Sequence, residues 1–482
     1  MRKKLLFILA LMLTAATGSW AKTIDLSGLT ADCTANDGDV LTGTTTAYKV
    51  TIAADATVTL NNADINYNGY DGPAIKCLGN ATIILADGTT NSVTVPDGNS
   101  PDMSGYPGIL AGGAGTTLII QGSTGTLNVV GGYVAAGIGC TNYNYNNDMS
   151  RDTSGAHCGI IQIDGGIITV TGGESGIGNV EGGGDDACDG IIINGGTVTA
   201  IGHSAGIGCA GGAVGYITIN GGTVTATGGD MCAGIGTAPF ATCGDITIAN
   251  TVTCVTATKG DGSGTYDCIG AGYCGTCGTV TIGGTTGAIS AKSFVYMKAN
   301  SDGAGNYWSS YYNGTYGYTA DANTTIYKGA VSGDIVQLSS VDDIPADKAA
   351  ILKSTAANIS LTYTDSPSAD FTGNELKGGT TVTAGYDAYT LSRGSAGTGA
   401  VGFYKFNGTS LNGNKAHLEI SSSSSAPVRG FISFKEEDAT AIKSLTPSLS
   451  EGKGDVYDLM GRRVENPTQG IYIVNGKKVF IK

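Results

Sequence analysis

This chain of 482 residues has 3 histidines and 2 tryptophans, and 14% of its residues are charged. Each scarcity removes a class of chemistry. Without a histidine cluster, an imidazole-based metal centre has no ligand set. Between residues 22 and 290 the one arginine is Arg151, and the lysines are Lys22, Lys49, Lys76 and Lys259. A polysaccharide lyase needs several carboxylates and a strong base beside a bound metal. Here Arg151 with Asp148, Asp152 and His157 is the one grouping of the right types. Glycoside hydrolysis needs two carboxylates held together. The corner row that could supply them reads Asp164, Asn194, Asn220, Ala249, Gly283, with a single acid. No serine or cysteine sits in an elbow motif. After the first 21 residues no apolar run is long enough for a membrane-spanning helix. Net charge is −14, and both ends are basic, so the body between them is more negative still. Such a body repels nucleic acid and anionic membranes. It suits solubility outside the cell, calcium or neutral glycans.

What the chain has in abundance is glycine, 79 residues of it, spaced by β-branched runs that repeat. Copies of one unit are Ile160–Gly173, Ile191–Ala200 and Tyr216–Gly229, punctuated by Ala136-Gly-Ile-Gly, Ser175-Gly-Ile-Gly, Ala205-Gly-Ile-Gly and Ala233-Gly-Ile-Gly. A period of roughly 26–40 residues marks a repeat architecture. Alternation along a strand assigns the faces. Ile161, Ile191, Ile217, Ile246 and Val280 form one inward row, and Ile163, Ile193, Ile219, Ile248 and Ile282 a second. The residues between point outward, with Ile192 an apolar exception. Ile168, Val198 and Val224 line a second side; Ile177, Ile207 and Ile235 line a third. Asp164-Gly-Gly, Asn194-Gly-Gly and Asn220-Gly-Gly supply corners that tolerate left-handed backbone. The expectation is all-β: a right-handed parallel β-helix (solenoid) over residues 22–290, with atypical coils at its start.

Residues 1–21 read as a signal peptide, with Arg2, Lys3 and Lys4, the apolar Leu5–Leu13, and Ser19-Trp-Ala21 at the cleavage point. Residues 291–435 change composition, and their period-2 runs predict an antiparallel β-sandwich-like domain. Residues 436–454 read as a polar linker and 455–482 as a separate tail. All 12 cysteines lie between Cys33 and Cys277. Export permits disulfides, and spacing alone leaves their pairing open. Cys274-Gly-Thr-Cys277 lacks the second pair that a zinc site needs, so stacked thiols or a structural bridge are expected.

Two insertions break the coils, Thr141–Ala156 and Glu181–Asp189. Solenoid insertions map to loops on one face, often the binding face. Sugars dock on aromatic rings flanked by polar groups. The candidates for that are Tyr67 and Tyr70 in the first coils, Tyr143, Tyr145 and Arg151 in the first insertion, and Tyr307, Trp308 and Tyr311 at the start of the next domain. Asp185, Asp186 and Asp189 are the candidate calcium ligands.

Asp455-Val-Tyr-Asp-Leu-Met-Gly-Arg-Arg and Gly470-Ile-Tyr-Ile-Val-Asn-Gly-Lys-Lys-Val-Phe-Ile-Lys resemble the C-terminal sorting domain of type IX secretion cargo. That resemblance assigns sorting to Gly461, Arg462, Arg463, Gly470, Lys477 and Lys478. It implies a Gram-negative cell, passage across the outer membrane, and removal or anchoring of the tail at the surface. Ile344-Pro-Ala-Asp-Lys-Ala-Ala-Ile-Leu-Lys-Ser, Val401-Gly-Phe-Tyr-Lys-Phe and Ser424-Ser-Ala-Pro resemble the β domain that often precedes such tails. Val58-Thr-Leu-Asn-Asn-Ala-Asp-Ile, Asp71-Gly-Pro-Ala-Ile and Ile84-Leu-Ala-Asp-Gly-Thr-Thr-Asn, with the Gly-Ile-Gly coils, are similar to exported β-helical carbohydrate-binding-domain proteins. The similarity implies a noncatalytic binder of a polysaccharide or cell-surface glycan, with calcium as its one candidate cofactor. The expected function is therefore a secreted or surface carbohydrate-binding, adhesin-like protein with no catalytic residues. The alternatives are a β-helix lyase or hydrolase, and a purely structural surface protein.

Overall fold

The computed structural model describes residues 21–482 apart from 70, 97–104, 142–143, 146–150, 153–156, 181–186, 334, 395, 409–410, 423–429, 438–442, 446–455, 460–461, 465–466, 475–476 and 482. The signal peptide (save Ala21), Tyr70, Tyr143, Asp185, Asp186 and Gly461 thus lie outside the described residues. Among the described residues the only helical element is the 3-10 turn Leu26–Gly28, and every other regular element is a strand.

The chain winds as a three-sided parallel β-helix. Its first side is a stack that includes Ala81–Leu85, Thr117–Gly122, His157–Ile163, Ala187–Ile193, Ala213–Ile219, Thr242–Ile248 and Val280–Ile282. The second side stacks Thr90–Thr94, Thr126–Val130, Ile167–Gly172, Thr197–Gly202, Thr223–Thr227 and Cys254–Thr258. The third is a sheet of nine short strands from Cys33–Ala35 to Ile269–Gly270. Every one of these pairings is parallel and in register. Ile161 faces Ile191, then Ile217, Ile246 and Val280, as the repeat predicts. All four isoleucines are fully buried. Burying such a side chain contributes about 1.5–3 kcal/mol, and no coil can complete that burial without its neighbours.

Two devices hold the corners. Between the first and second sides, Asn220 Nδ2 donates to Asn194 Oδ1 at 2.9 Å and Asn194 Nδ2 to Asp164 Oδ1 at 2.7 Å. The lone acid of that row is thus the foot of an amide ladder, and Gln162 Nε2 donates to it as well. On the third side, glycine is required by space. Gly236 has φ +137°, and a Cβ there would fall 1.8 Å from the Gly270 carbonyl oxygen.

The far end of the coil stack is closed by the next unit. Cys254–Thr258 pairs antiparallel with Ser293–Lys298, which pairs with Asn358–Thr364, which pairs with Gly317–Ala320. Phe294 and Tyr296 point into the solenoid core, whereas Val295 and Met297 point into the core of the following domain. The expected boundary at 290/291 therefore runs beside a strand shared by both units rather than through a linker. The second layer of that domain is one curled sheet built around Tyr307–Asn313, Lys348–Ser354, Thr324–Ser332 and Ile335–Val341. It is antiparallel except where Ile335–Val341 runs parallel to Phe431–Glu436. The sheet curls onward through Gly402–Lys405, Tyr386–Ser392 and His417–Ser421 to enclose a third core around Phe403 and Leu418. The tail is a four-stranded sheet. Its first strand, Lys443–Leu445, pairs with Lys477–Ile481. The segment expected to be a linker thus donates a strand to the tail.

Candidate functional site

Solenoid corners differ in what they display. In each coil the corner between the third and first sides runs from the end of the third-side strand to the start of the next first-side strand. Thr141–Ala156 leaves after Ile138–Gly139 and returns at His157–Ile163. The next coil carries 181–186 between Ile177–Gly178 and Ala187–Ile193. Then comes the tight Ala210-Gly-Gly turn, then Phe240, then Tyr273. Both insertions therefore leave and rejoin the coils at the edge that carries both rings, over five consecutive coils. At roughly 4.8 Å per coil, that is a ridge on the order of 20 Å long.

The ridge is anchored at its base. The Cys140–Cys158 disulfide closes the first insertion. Asp189 Oδ1 meets His157 Nε2 at 2.9 Å, and Asp189 Oδ2 accepts the Gly115 N–H at 2.7 Å. One carboxylate thus ties three successive coils. Burial opposes its ionisation, but the Gly115 amide and His157 outweigh that and hold it below the usual carboxylate range. Both oxygens are engaged, so Asp189 is a strut, and a calcium ion there would have to displace these partners. Within the insertion a two-stranded hairpin pairs Tyr145 with Arg151 and Asn144 with Asp152. Sequence reasoning took this segment for a loop; its backbone brings two candidate binding residues opposite one another.

Two coils beyond the second insertion, Phe240 is 75% exposed at φ +61° and Tyr273 is 36% exposed. Their rings meet edge to face at 6.4 Å between centroids, a favoured aromatic geometry. The Phe240 N–H donates to the Tyr273 carbonyl. A phenyl ring held out into solvent by a left-handed backbone serves no core. Neither ring was among the residues singled out from sequence. The one available signal was their place in the corner where other coils are interrupted.

The other candidates lie elsewhere. Tyr67 sits at the corner between the second and third sides. It is 7% exposed, hydrogen-bonded to Asp71, with the Lys49 ammonium 5.2 Å over its ring. Burial, reinforced by Asp71, raises its phenol pKa. Lys49 also meets Asp71 at 3.1 Å and Asp32 at 3.7 Å. This knot braces the first coils, and its ring has no free face for a sugar. Trp308 and Tyr311 require a correction of the same kind. Trp308 is buried against Phe434 and Tyr327, and Tyr311 against Tyr318. Tyr307 is half-buried on the Tyr311 core. The dense aromatic run is packing, and its buried rings offer no docking surface. In the tail, Arg462 Nε bonds Asp458 at 2.7 Å, Arg463 bridges Tyr457 through its backbone, Gly470 opens a central strand, and Lys477 and Lys478 begin the last one.

The cysteines form a column at the same corner. Cys158, Cys188, Val214, Cys243 and Cys277 are register partners on successive coils. Burial pushes the Cys188 thiol up to about 12. Cys274 is exposed and makes no bridge with Cys277. Among the described residues no group of three or more potential ligands is placed to hold a metal.

Fold and edge together define a parallel β-helix whose coils display their variation along one corner. A family model described as a beta helix repeat matches residues 191–212 and 217–238, two adjacent coils of this stack. No curated protein and no solved structure matches the chain.

Proposed function

We propose that the protein is a noncatalytic, carbohydrate-binding surface protein that grips a glycan along the third-to-first corner of its solenoid. One observation carries the reading: the exposed Phe240–Tyr273 pair stands on the same edge as both insertions. A pair of rings beside one tyrosine-bearing insertion suits the apolar faces of sugars, and insertions on one face of a solenoid often mark its binding surface. The acidic body favours a neutral glycan over an anionic one on this edge. The tail's resemblance to type IX sorting domains completes the proposal, with export across the outer membrane of a Gram-negative cell and retention at its surface.

Screening the full chain and the Phe240→Ala/Tyr273→Ala variant on a glycan array, each with and without EDTA, tests this. The expected result is retention of a neutral glycan by the native chain and its loss in the variant. No glycan retained under either condition would overturn the reading. Release of unsaturated or reducing sugar, abolished by Arg151→Ala, would replace it with a lyase or hydrolase.

A further inference from the structure

A cavity lies where the solenoid meets the following domain. It encloses about 400 Å³, within the range of small-molecule sites, and its walls include Thr253 of the last coil, Lys298, Ser309, Phe406, Lys415 and His417. Three features set it apart. Among the described residues lining it there is no carboxylate, although the chain as a whole carries 40 acids against 26 Lys and Arg. Lys415 reaches inward, where its ammonium donates to Ser309 Oγ at 2.9 Å and approaches Met297 Sδ at 3.7 Å. His417 is 1% exposed, and neither ring nitrogen has a hydrogen-bond partner among the described residues. The nearest anion to it is Glu419, 3.7 Å from Nε2 and already bonded to the Thr383 N–H and hydroxyl.

A buried polar group without a partner is costly, and such groups are kept where something completes them. Burial lowers the pKa of both Lys415 and His417, against the opposing pull of Glu419 on His417. An anion in the cavity would give Lys415 a counter-charge and the His417 ring a hydrogen-bond partner. The remaining walls combine hydroxyl and amide groups with the apolar Leu391, Phe406 and Leu411, a mixture that fits a hydroxylated carbon skeleton better than a bare inorganic ion.

We infer that this junction cavity binds a small hydroxylated carboxylate, the chemistry of a sugar acid, with Lys415 and Lys298 facing the carboxylate and His417 hydrogen-bonding to it. The site is independent of the glycan edge, at the junction rather than on the third-to-first corner, and takes an anion where the edge is proposed to take neutral sugar.

Titration calorimetry of the full chain with glucuronate, with its neutral methyl ester as control, tests the inference. Glucuronate should bind one to one and the ester at least tenfold more weakly. Lys415→Met should weaken glucuronate at least tenfold, and the more exposed Lys298→Met, which leaves the interior untouched, severalfold. Phe240→Ala should change nothing. Imidazole NMR of the native protein provides a readout that needs no variant, because bound glucuronate should raise the pKa of His417. A uronic-acid disaccharide separates the sources: binding equal to the monosaccharide assigns a chain end, and exclusion assigns the free acid. Absence of glucuronate binding, equal affinity for the ester, or a His417 titration indifferent to ligand would overturn the proposal.

Discussion

Ile217 offers the sharpest test of the coil geometry. It is fully buried, with Ile191 and Ile246 as its register partners on the coils on either side. Ile192 lies one residue past Ile191 and is half-buried on the outer face, paired with Thr218. Truncating a buried isoleucine to alanine costs about 2–5 kcal/mol, from lost transfer energy plus the cavity left behind. The rigid coils on both sides cannot collapse into that cavity, so Ile217→Ala should fall in the upper half of the range. Ile192→Ala should cost under about 1 kcal/mol. Because neighbouring coils share the cavity, Ile217→Ala/Ile246→Ala should depart from additivity by about 0.5–3 kcal/mol, whereas Ile217→Ala/Val58→Ala should add within roughly 0.5 kcal/mol. Urea unfolding followed by far-ultraviolet circular dichroism gives all the values. Equal costs for Ile217→Ala and Ile192→Ala would refute the face assignment and with it the coil model.

Further outcomes follow from other parts of the structure. Gly236→Ala should unfold or severely destabilise the solenoid in thermal melts, because its Cβ would meet the Gly270 carbonyl at 1.8 Å; an unchanged melt would contradict the close approach on the third side. Asn194→Ala removes both rungs of the exposed ladder and should cost about 0.5–1.5 kcal/mol in urea titration. Peptide mapping without reductant should recover Cys140 joined to Cys158, and Cys158→Ser should cost on the order of 3 kcal/mol, the chain-entropy value for a loop of this size. His417 has a pKa below its ordinary 6.5, set by burial and by Lys377, with Glu419 opposing. The unfolded chain therefore takes up the proton first. The stability that neutral His417 gives is complete above pH 6.5 and is lost as pH falls from there toward the folded pKa. Melts of His417→Gln across that window should show a weaker pH dependence than the native protein, and a parallel dependence would assign the loss to another group.

The solenoid was legible because its signal is doubled. Period 2 assigns each residue to a face, and repetition checks the assignment coil against coil, so Ile161, Ile191, Ile217 and Ile246 could be aligned without a structure. The closing strand Ser293–Lys298 defeated the same logic. It is buried on both faces, so Phe294, Val295, Tyr296 and Met297 show no alternation, and composition suggested a boundary beside the strand that joins the two units. The run Tyr307–Asn313 was ambiguous for a related reason. Its sequence fits both a ring-rich surface and a hairpin with half its rings in the core, and polar neighbours such as Ser309 and Ser310 did not decide between them, because both serines are buried as well. The insertions were found as breaks in the repeat, but their shared edge with Phe240 and Tyr273 depends on how many residues each corner consumes, which only the wound coil reveals. The junction cavity was invisible because Thr253, Lys298 and Lys415 are far apart in the chain.

The central claim is that the coils are scaffold and that the third-to-first corner holds the glycan. Calorimetric titration of the native chain and of Phe240→Ala with an oligosaccharide selected on the array measures it directly. At least a tenfold loss of affinity is expected, about 1.4 kcal/mol, with the melting temperature unchanged, because an exposed ring contributes nothing to the core. Unchanged affinity would place the glycan elsewhere and contradict the account.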